Sequence, residues 1–286
     1  MRMIPIEDLL RFIREDAPWG DVTSETVVPD VTCRAVVRAK SQGIVAGLSE
    51  ARRLFEHFGV TVRERSADGR AVAPGTVLLD LDGPARAILL VERTALNIIG
   101  RMSGIATRTR EAVKAVRAVS PDVRVAATRK TAPGLRVLDK KAVILGGGDP
   151  HRYTLSDMVL IKDNHLALTP LAEAIRRAKK ESLYRVVEVE VETVEDAVTA
   201  AGAGADIVLL DNMTPDTVRE AVRALAGRGL RDRLTLEVSG GAGEDTLVGY
   251  AATGVDIISM GALTHTVRNF DVSLDILKGM GIVRIP

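Results

Sequence analysis

The chain has 286 residues, of which 46% are hydrophobic and 27% charged, and its net charge is +1. That length suits one barrel or two modules, and the apolar content is enough for a large core. A charge so near zero excludes a global basic field for nucleic acid or an anionic membrane, so any cationic patch has to be local.

Taken in order, MRMIPIEDLLRFIREDAPWG (residues 1–20) carries its acids early and predicts an amphipathic helix rather than a signal peptide. The single cysteine, Cys33, lies among alternating apolar residues in VTCRAVV. It reads as a small buried hydrophobe on a strand, and no disulfide can form within the chain. TCRAVVRAK and GTVLLDLDG have strand character; SEARRLFEHFG is helical with a glycine stop, which makes His57 an ordinary helix-end histidine. Residues 84–118 form a long helical tract, with a break expected where Ser103-Gly104 interrupts the pattern. No apolar run approaches the ~18 residues of a membrane span, so the expected compartment is the cytoplasm, with no membrane partner. Aromatics are 3% of the chain, too few to suggest base-stacking platforms.

From about residue 123 the rhythm changes. VRVAATRK, MVLIKDN, RVVEVEVE, DIVLLDN, LTLEVSGG and DIISMGA alternate with helical segments such as PLAEAIRRAKKES and PDTVREAVRALAGRG. Thr193 stands three residues before Asp196, a capping-box spacing, and Pro215 after Thr214 suits a first helical turn. Strand–helix repetition of this kind predicts parallel β-structure with right-handed crossovers, closed or nearly closed into an α/β barrel. An open doubly wound sheet is the alternative. The glycines Gly146 to Gly148 follow a helix rather than a strand, so they read as a C-cap and turn and not as a dinucleotide fingerprint.

Each of these strands is apolar in its body and ends in chemistry: Thr128, Arg129 and Lys130; Lys162, Asp163 and Asn164; Glu188, Glu190 and Glu192 at alternate positions; Asp211-Asn212; Ser239-Gly240-Gly241; Ser259 and Gly261. In a parallel barrel those ends converge on one mouth, where active sites sit. SGG and SMGALTH, on the last two strands, suit a phosphate held by backbone N–H groups. Arg129, Lys130, Arg152 and Lys162 add positive charge for a small polyanion. Glu190 and Asp211 are out of place in such a site unless a divalent cation such as Mg²⁺ bridges them to phosphate, or unless they face a developing positive charge. His165 and His265 lie beside the mouth, but with no H-x-x-x-H or cysteine pair they suggest orientation rather than zinc.

At these residues the sequence resembles the nicotinate-nucleotide pyrophosphorylase (carboxylating) family, the quinolinate phosphoribosyltransferases. The stretches that carry the resemblance are GDVTS, ERTALNIIGRMSGIAT, TRKTAPGLR, GGGDPHR, SDMVLIKDNH, VEVEVET, VLLDNM, LEVSGG and GVDIISMGALTH, from residue 20 to 265 in the family's order. Pro150 stands where many members have Asn, and Lys141 where an aromatic is common. The resemblance implies an α/β protein: an N-terminal α/β sandwich domain (1–110, joined by the C-terminal tail 270–286) and an incomplete α/β barrel (111–269). It implies a homodimer or higher homo-oligomer with a shared active site.

By similarity, quinolinate and 5-phosphoribosyl 1-diphosphate are the substrates, Mg²⁺ is required, and the products are nicotinate mononucleotide, pyrophosphate and CO₂. Thr128, Arg129, Lys130, His151, Arg152 and Lys162 line the pocket for a dicarboxylate, and Arg93 comes from the neighbouring subunit. Glu190 and Asp211 meet the ribose hydroxyls and Mg²⁺. Ser239, Gly240, Gly241, Met260, Gly261 and Ala262 hold the 5′-phosphate. The catalytic roles fall to Lys130, Glu190 and Asp211, and Arg136 buttresses the site. Two alternatives are a related molybdenum-transport group with a different acceptor, and a non-catalytic barrel that senses phosphorylated metabolites. LIKDNH and the intact acids favour the quinolinate enzyme.

Overall fold

The computed structural model describes residues 4–240, 244–277 and 283–284. The chain divides into two compact units, Met1–Arg108 with Val137–Gly146 and Val267–Pro286, and Thr109–Arg136 with Gly147–Thr266.

The first unit contains α1 (Ile6–Asp16), α2 (Val22–Val27), β1 (Val31–Ala39), β2 (Gly43–Ile44), α3 (Leu48–His57), β3 (Thr61–Glu64), β4 (Ala71–Val72) and β5 (Val77–Pro84), followed by α4 (Ala85–Arg117), which runs on into the second. On β1, Cys33, Ala35, Val37 and Ala39 are buried at alternate positions, the period of a strand with one face on a core. Helix α3 buries Leu48, Ala51, Leu54 and Phe55 along one stripe. His57 is exposed at its end, as expected.

The expected break in α4 does not occur: the helix is continuous over 33 residues. Ser103 and Gly104 serve packing instead. Ser103 is buried, accepts from the Ala46 N–H at 2.9 Å and donates to the Ala46 carbonyl at 3.2 Å. A Cβ on Gly104 would run into the Arg268 carbonyl oxygen. A glycine inside a helix costs about 1 kcal/mol relative to alanine, and here that cost permits a close backbone approach.

The chain then forms β6 (Arg124–Ala126) in the second unit and α5 (Arg136–Gly146), which clusters almost wholly with the first. Helix α5 is held by charge. Arg101 grips the fully buried Asp139 with two bonds of 2.8 and 2.9 Å. Lys141 donates to both Glu50 oxygens, at 2.7 and 2.8 Å, and to Ser49 Oγ at 2.6 Å. These bonds satisfy all three donors of the buried lysine ammonium. Removing one partner of a buried pair leaves the other uncompensated, and Glu50 is 3% exposed. Lys141→Ala is therefore expected to lower stability by about 3–5 kcal/mol, read as a fall in the urea midpoint; replacing Glu50 and Lys141 together by leucine and methionine should cost less.

The second unit continues with β7 (Val159–Ile161), α6 (Asp163–Leu166), α7 (Leu171–Glu181), β8 (Val187–Val191), α8 (Val194–Gly202), β9 (Ile207–Asp211), α9 (Pro215–Gly227), β10 (Thr235–Ser239), α10 (Glu244–Ala251), β11 (Ile257–Ser259) and α11 (Ala262–His265); β12 (Val272–Ile276) and β13 (Val283–Arg284) rejoin the first unit. There they pair antiparallel to β1, in a sheet ordered β12-β1-β5-β3. Two predicted caps form: Thr193 Oγ1 accepts from Asp196 N at 3.0 Å, and Pro215 opens α9 behind Thr214.

The six strands β6 to β11 form one parallel sheet ordered β6-β11-β10-β9-β8-β7. The first strand in sequence pairs with the last, and the others follow in sequence order. That is the order of a ring, whereas an open doubly wound sheet reverses direction at a switch point. Asp149 adds a single bridge on the other edge of β6, opposite Ala126. Among the described residues no pairing joins that edge to β7, so the barrel is incomplete. Its body is apolar, with Val187, Val189, Val208, Leu210, Leu236, Val238 and Ile258 in one core. Among the described residues of these strands, the buried polar side chains are Glu188, Glu237 and Ser259.

Candidate active site

Parallel strands place their C-terminal ends on one rim, and a cavity of about 370 Å³ opens there. Its lining takes Thr128, Arg129 and Lys130 from beyond β6, His151 and Arg152 from beyond the Asp149 bridge, and Lys162 from beyond β7. Glu190 comes from β8, Asp211 from β9, and Glu237 and Ser239 from β10. A second cavity of about 380 Å³ shares Arg129, Arg152, Leu160 and Lys162 with it and is otherwise bounded by residues including Met158, His165 and Arg185. Three cations thus stand where the two cavities meet.

Both arginines at that wall are half-buried. The Arg129 Nε is buried and has no hydrogen-bond partner among the described residues. Burial, then the charge of Arg129, pushes the Arg152 pKa down. Two neighbouring, partly dehydrated cations are a poor arrangement without an anion and a good one with it. Arg136 faces elsewhere, bonding Thr131 Oγ1 at 3.1 Å and the Tyr153 carbonyl at 3.2 Å, so it ties together the two loops that carry the site cations. His165 accepts the Lys162 N–H on Nδ1 at 2.9 Å, leaving Nε2 as the donor at the edge of the second cavity.

The acids occupy the other side. Lys162 Nζ pairs with Glu190. Burial, then the Glu190 charge, pushes the Asp211 carboxyl up, while Lys162 and Lys130 oppose that rise. Two carboxylates from adjacent strands, the Glu190 charge raising the proton affinity of Asp211, form an all-oxygen donor set that fits a hard divalent cation or a group of sugar hydroxyls. Glu192 lies past the end of β8 and is exposed, so of the three alternate acids only Glu188 and Glu190 look inward.

Around the phosphate-type turns, Gly240 has φ +79° and a Cβ there would collide with Asn212, so the position needs glycine twice over. Gly241 lies outside the described residues. Gly261 is packed against Lys130 and His265, and Thr264 Oγ1 donates to the Lys130 carbonyl at 2.8 Å. Met260 is 2% exposed, with its side chain in the barrel core, so only its backbone is available to a ligand. Ala262 opens α11. Arg93 is exposed on α4 in the first unit and is not among the residues lining either cavity.

Beneath this rim lies a group of which the strand-end pattern missed one member, Glu237. Glu237 is 1% exposed and faces His151 Nε2 at 3.4 Å; Glu188, fully buried, faces the same atom at 3.5 Å. Its signal was a lone acid inside the apolar run LTLEVSGG. Burial alone would disfavour a charged His151, and the two acids raise its proton affinity against that. The Arg152 N–H, however, points at His151 Nδ1 from 2.7 Å. A doubly protonated ring would set two N–H groups against each other there. The ring therefore carries its hydrogen on Nε2, facing the two acids, and burial raises the Glu188 carboxyl.

Two family descriptions fit the chain in succession. "Quinolinate phosphoribosyl transferase, N-terminal domain" matches residues 21–103, and "Quinolinate phosphoribosyl transferase, C-terminal domain" matches residues 105–275. The chain belongs to the quinolinate phosphoribosyl transferase family. It is 45% identical over 274 residues to the probable nicotinate-nucleotide pyrophosphorylase [carboxylating] of Methanothermobacter thermautotrophicus, covering 94% of this chain and 98% of that one. With the human nicotinate-nucleotide pyrophosphorylase [carboxylating] it shares 36% identity over 265 residues, 92% of this chain and 88% of that one. The solved nicotinate-nucleotide pyrophosphorylase of Francisella tularensis superposes with a TM-score of 0.88 at 35% identity, over 96% of this chain and 98% of the other. A quinolinate phosphoribosyl transferase with these two domains is an α/β protein, and the antiparallel sheet of the first unit and the parallel ring of the second agree with that class.

Proposed function

We infer that the chain transfers the phosphoribosyl group of 5-phosphoribosyl 1-diphosphate to quinolinate, with loss of pyrophosphate and CO₂, to give nicotinate mononucleotide for NAD biosynthesis. The observation that carries this reading is the buried, unpartnered Arg129 Nε beside Arg152 at the wall common to both cavities. A doubly ionised pyridine in the second cavity meets that wall with its carboxylates, and Lys162 adds a third cation. The sugar diphosphate occupies the first cavity. Ser239 and the backbone around Gly240 and Gly261 receive its 5′-phosphate, and Glu190 and Asp211 take the ribose hydroxyls.

Those two acids would also hold Mg²⁺, which supplies charge neutralisation to the diphosphate when bound. The protein's own contribution is orientation and field. The pyridine nitrogen lone pair forms the bond to the anomeric carbon as the carbon–oxygen bond to pyrophosphate breaks, and Lys130 places positive charge beside the departing group. Carboxylates nearby favour the positive charge that develops on the sugar. Once quaternised, the ring accepts the electron pair released when the carboxylate next to nitrogen leaves as CO₂, and a proton takes its place. Holding both substrates in line removes much of the entropic barrier.

In the same reading the protein is a cytoplasmic homodimer or larger homo-oligomer, and Arg93 reaches the quinolinate from a second copy. Among the described residues no helix is long and apolar enough to cross a membrane. A mixture of Arg93→Ala and Lys130→Ala chains should regain turnover after subunit exchange, because one site in the hybrid keeps both cations; continued inactivity would assign each site to a single chain. The acceptor is tested by steady-state assay with quinolinate, nicotinate and nicotinamide in turn: turnover is expected with quinolinate, and turnover with nicotinate alone would refute the assignment.

A further inference from the structure

The acids under the site play no part in the chemistry above. Glu188 and Glu237 are 0% and 1% exposed, and none of their four oxygens has a hydrogen bond of good geometry among the described residues. Burying two such groups is costly, and a role in packing alone would be met better by two apolar side chains. What they share is one neighbour, His151 Nε2, at 3.5 and 3.4 Å.

His151 has an unusual backbone. Its φ is +54°, a left-handed conformation that is strained for a residue with a Cβ. Three contacts hold it there: its N–H donates to Asp149 Oδ1 at 2.8 Å, its Nδ1 accepts the Arg152 N–H at 2.7 Å, and its Nε2 faces the acid pair. The kink falls between the Asp149 bridge on β6 and Arg152, the residue that lines both cavities. His151, Glu188 and Glu237 also have the composition of a metal site. A metal on Nε2, however, would require Nδ1 to carry the hydrogen, and the Arg152 N–H already points at that atom.

We propose that Glu188 and Glu237 are positioning residues that hold the His151 Nε2–H, stabilise the left-handed backbone at His151, and thereby aim Arg152 at the wall shared by the two cavities. This rests on the reading of Arg152 as a quinolinate-binding cation.

The test is calorimetric titration of quinolinate into the full-length protein and its variants, with ¹⁵N spectra of the His151 ring. Glu237→Leu is expected to weaken binding about tenfold or more, whereas Glu237→Gln, whose amide oxygen can accept the same Nε2–H, retains most of the affinity. Glycine adopts the kink without strain, so His151→Gly should bind about threefold to tenfold more tightly than His151→Ala. In a His151→Gly background, adding Glu237→Leu should have little further effect. The wild-type ring should show hydrogen on Nε2 and a lone pair on Nδ1. Equal affinity in the glycine and alanine variants, or hydrogen on Nδ1, overturns the proposal. So does an undiminished affinity in Glu237→Leu while Arg152→Ala binds weakly; that result leaves the pocket reading intact. If Arg152→Ala itself binds quinolinate normally, the pocket reading fails and the positioning role falls with it. The histidine comparison leaves both acids in place, so it decides the matter even if Glu237→Leu does not fold.

Discussion

Arg129→Ala is expected to weaken quinolinate binding about tenfold to a hundredfold, the loss of one charge-assisted contact worth about 1.5–3 kcal/mol. The side chain is half-buried, and its Nε has no hydrogen-bond partner among the described residues. The protein has therefore already met part of the dehydration penalty before any ligand arrives, and the contact returns more than a surface pair would. Stability should change little or improve, because the substitution removes repulsion with Arg152. Arg129→Lys should recover part of the affinity at most, since a point charge does not reproduce a planar fork. Calorimetry with quinolinate checks both. Unchanged affinity in Arg129→Ala would remove this residue, and the reading built on it, from the site.

The second large effect concerns the acids. Glu190→Gln should lower kcat by about a hundredfold to a thousandfold, the range found when one group facing a developing charge is removed. Glutamine has nearly the same shape and still offers an oxygen to Lys162, but it brings no charge to the sugar side. Quinolinate affinity should stay within a few-fold, because Arg129 and Arg152 at the shared wall are untouched. The Asp211 carboxyl should also ionise more easily, since the Glu190 charge is the second cause of its raised pKa after burial. Steady-state kinetics paired with calorimetry separate the two readouts. A nearly normal kcat would show that Glu190 does not act on the transition state; equal losses in kcat and affinity would point to a collapse of the Lys162 side of the cavity instead.

Much of this was legible in the residues. All six parallel strands form where runs of β-branched residues predicted them, and Thr193, Thr214 and Pro215 cap their helices as the spacing implied. These are local effects, set within one turn or one strand. Arg129, Lys130, Lys162, Glu190 and Asp211 were visible as a class because a charge that ends an apolar strand has few structural reasons to be there; Arg152 followed a glycine run instead, and all six line one cavity. The strand rhythm favoured a ring over an open sheet, and the ring order was decided by β6 pairing with β11 far along the chain.

Other features escaped because their partners lie far along the chain. Ser103 and Gly104 look like a helix interruption until Ala46 and Arg268 come against them. Lys141 looks out of place until Glu50 is beside it. Glu237 passes unremarked inside an apolar run until Glu188 and His151 meet it.

By itself the sequence determined the kind of elements, the parallel architecture and which charged residues were held for a ligand, since periodicity and composition act over a few neighbouring residues. Only the tertiary structure decided which distant groups became partners. A buried ion pair, a close backbone approach or a strained histidine depends on atoms brought together across the fold, and no local pattern encodes that distance.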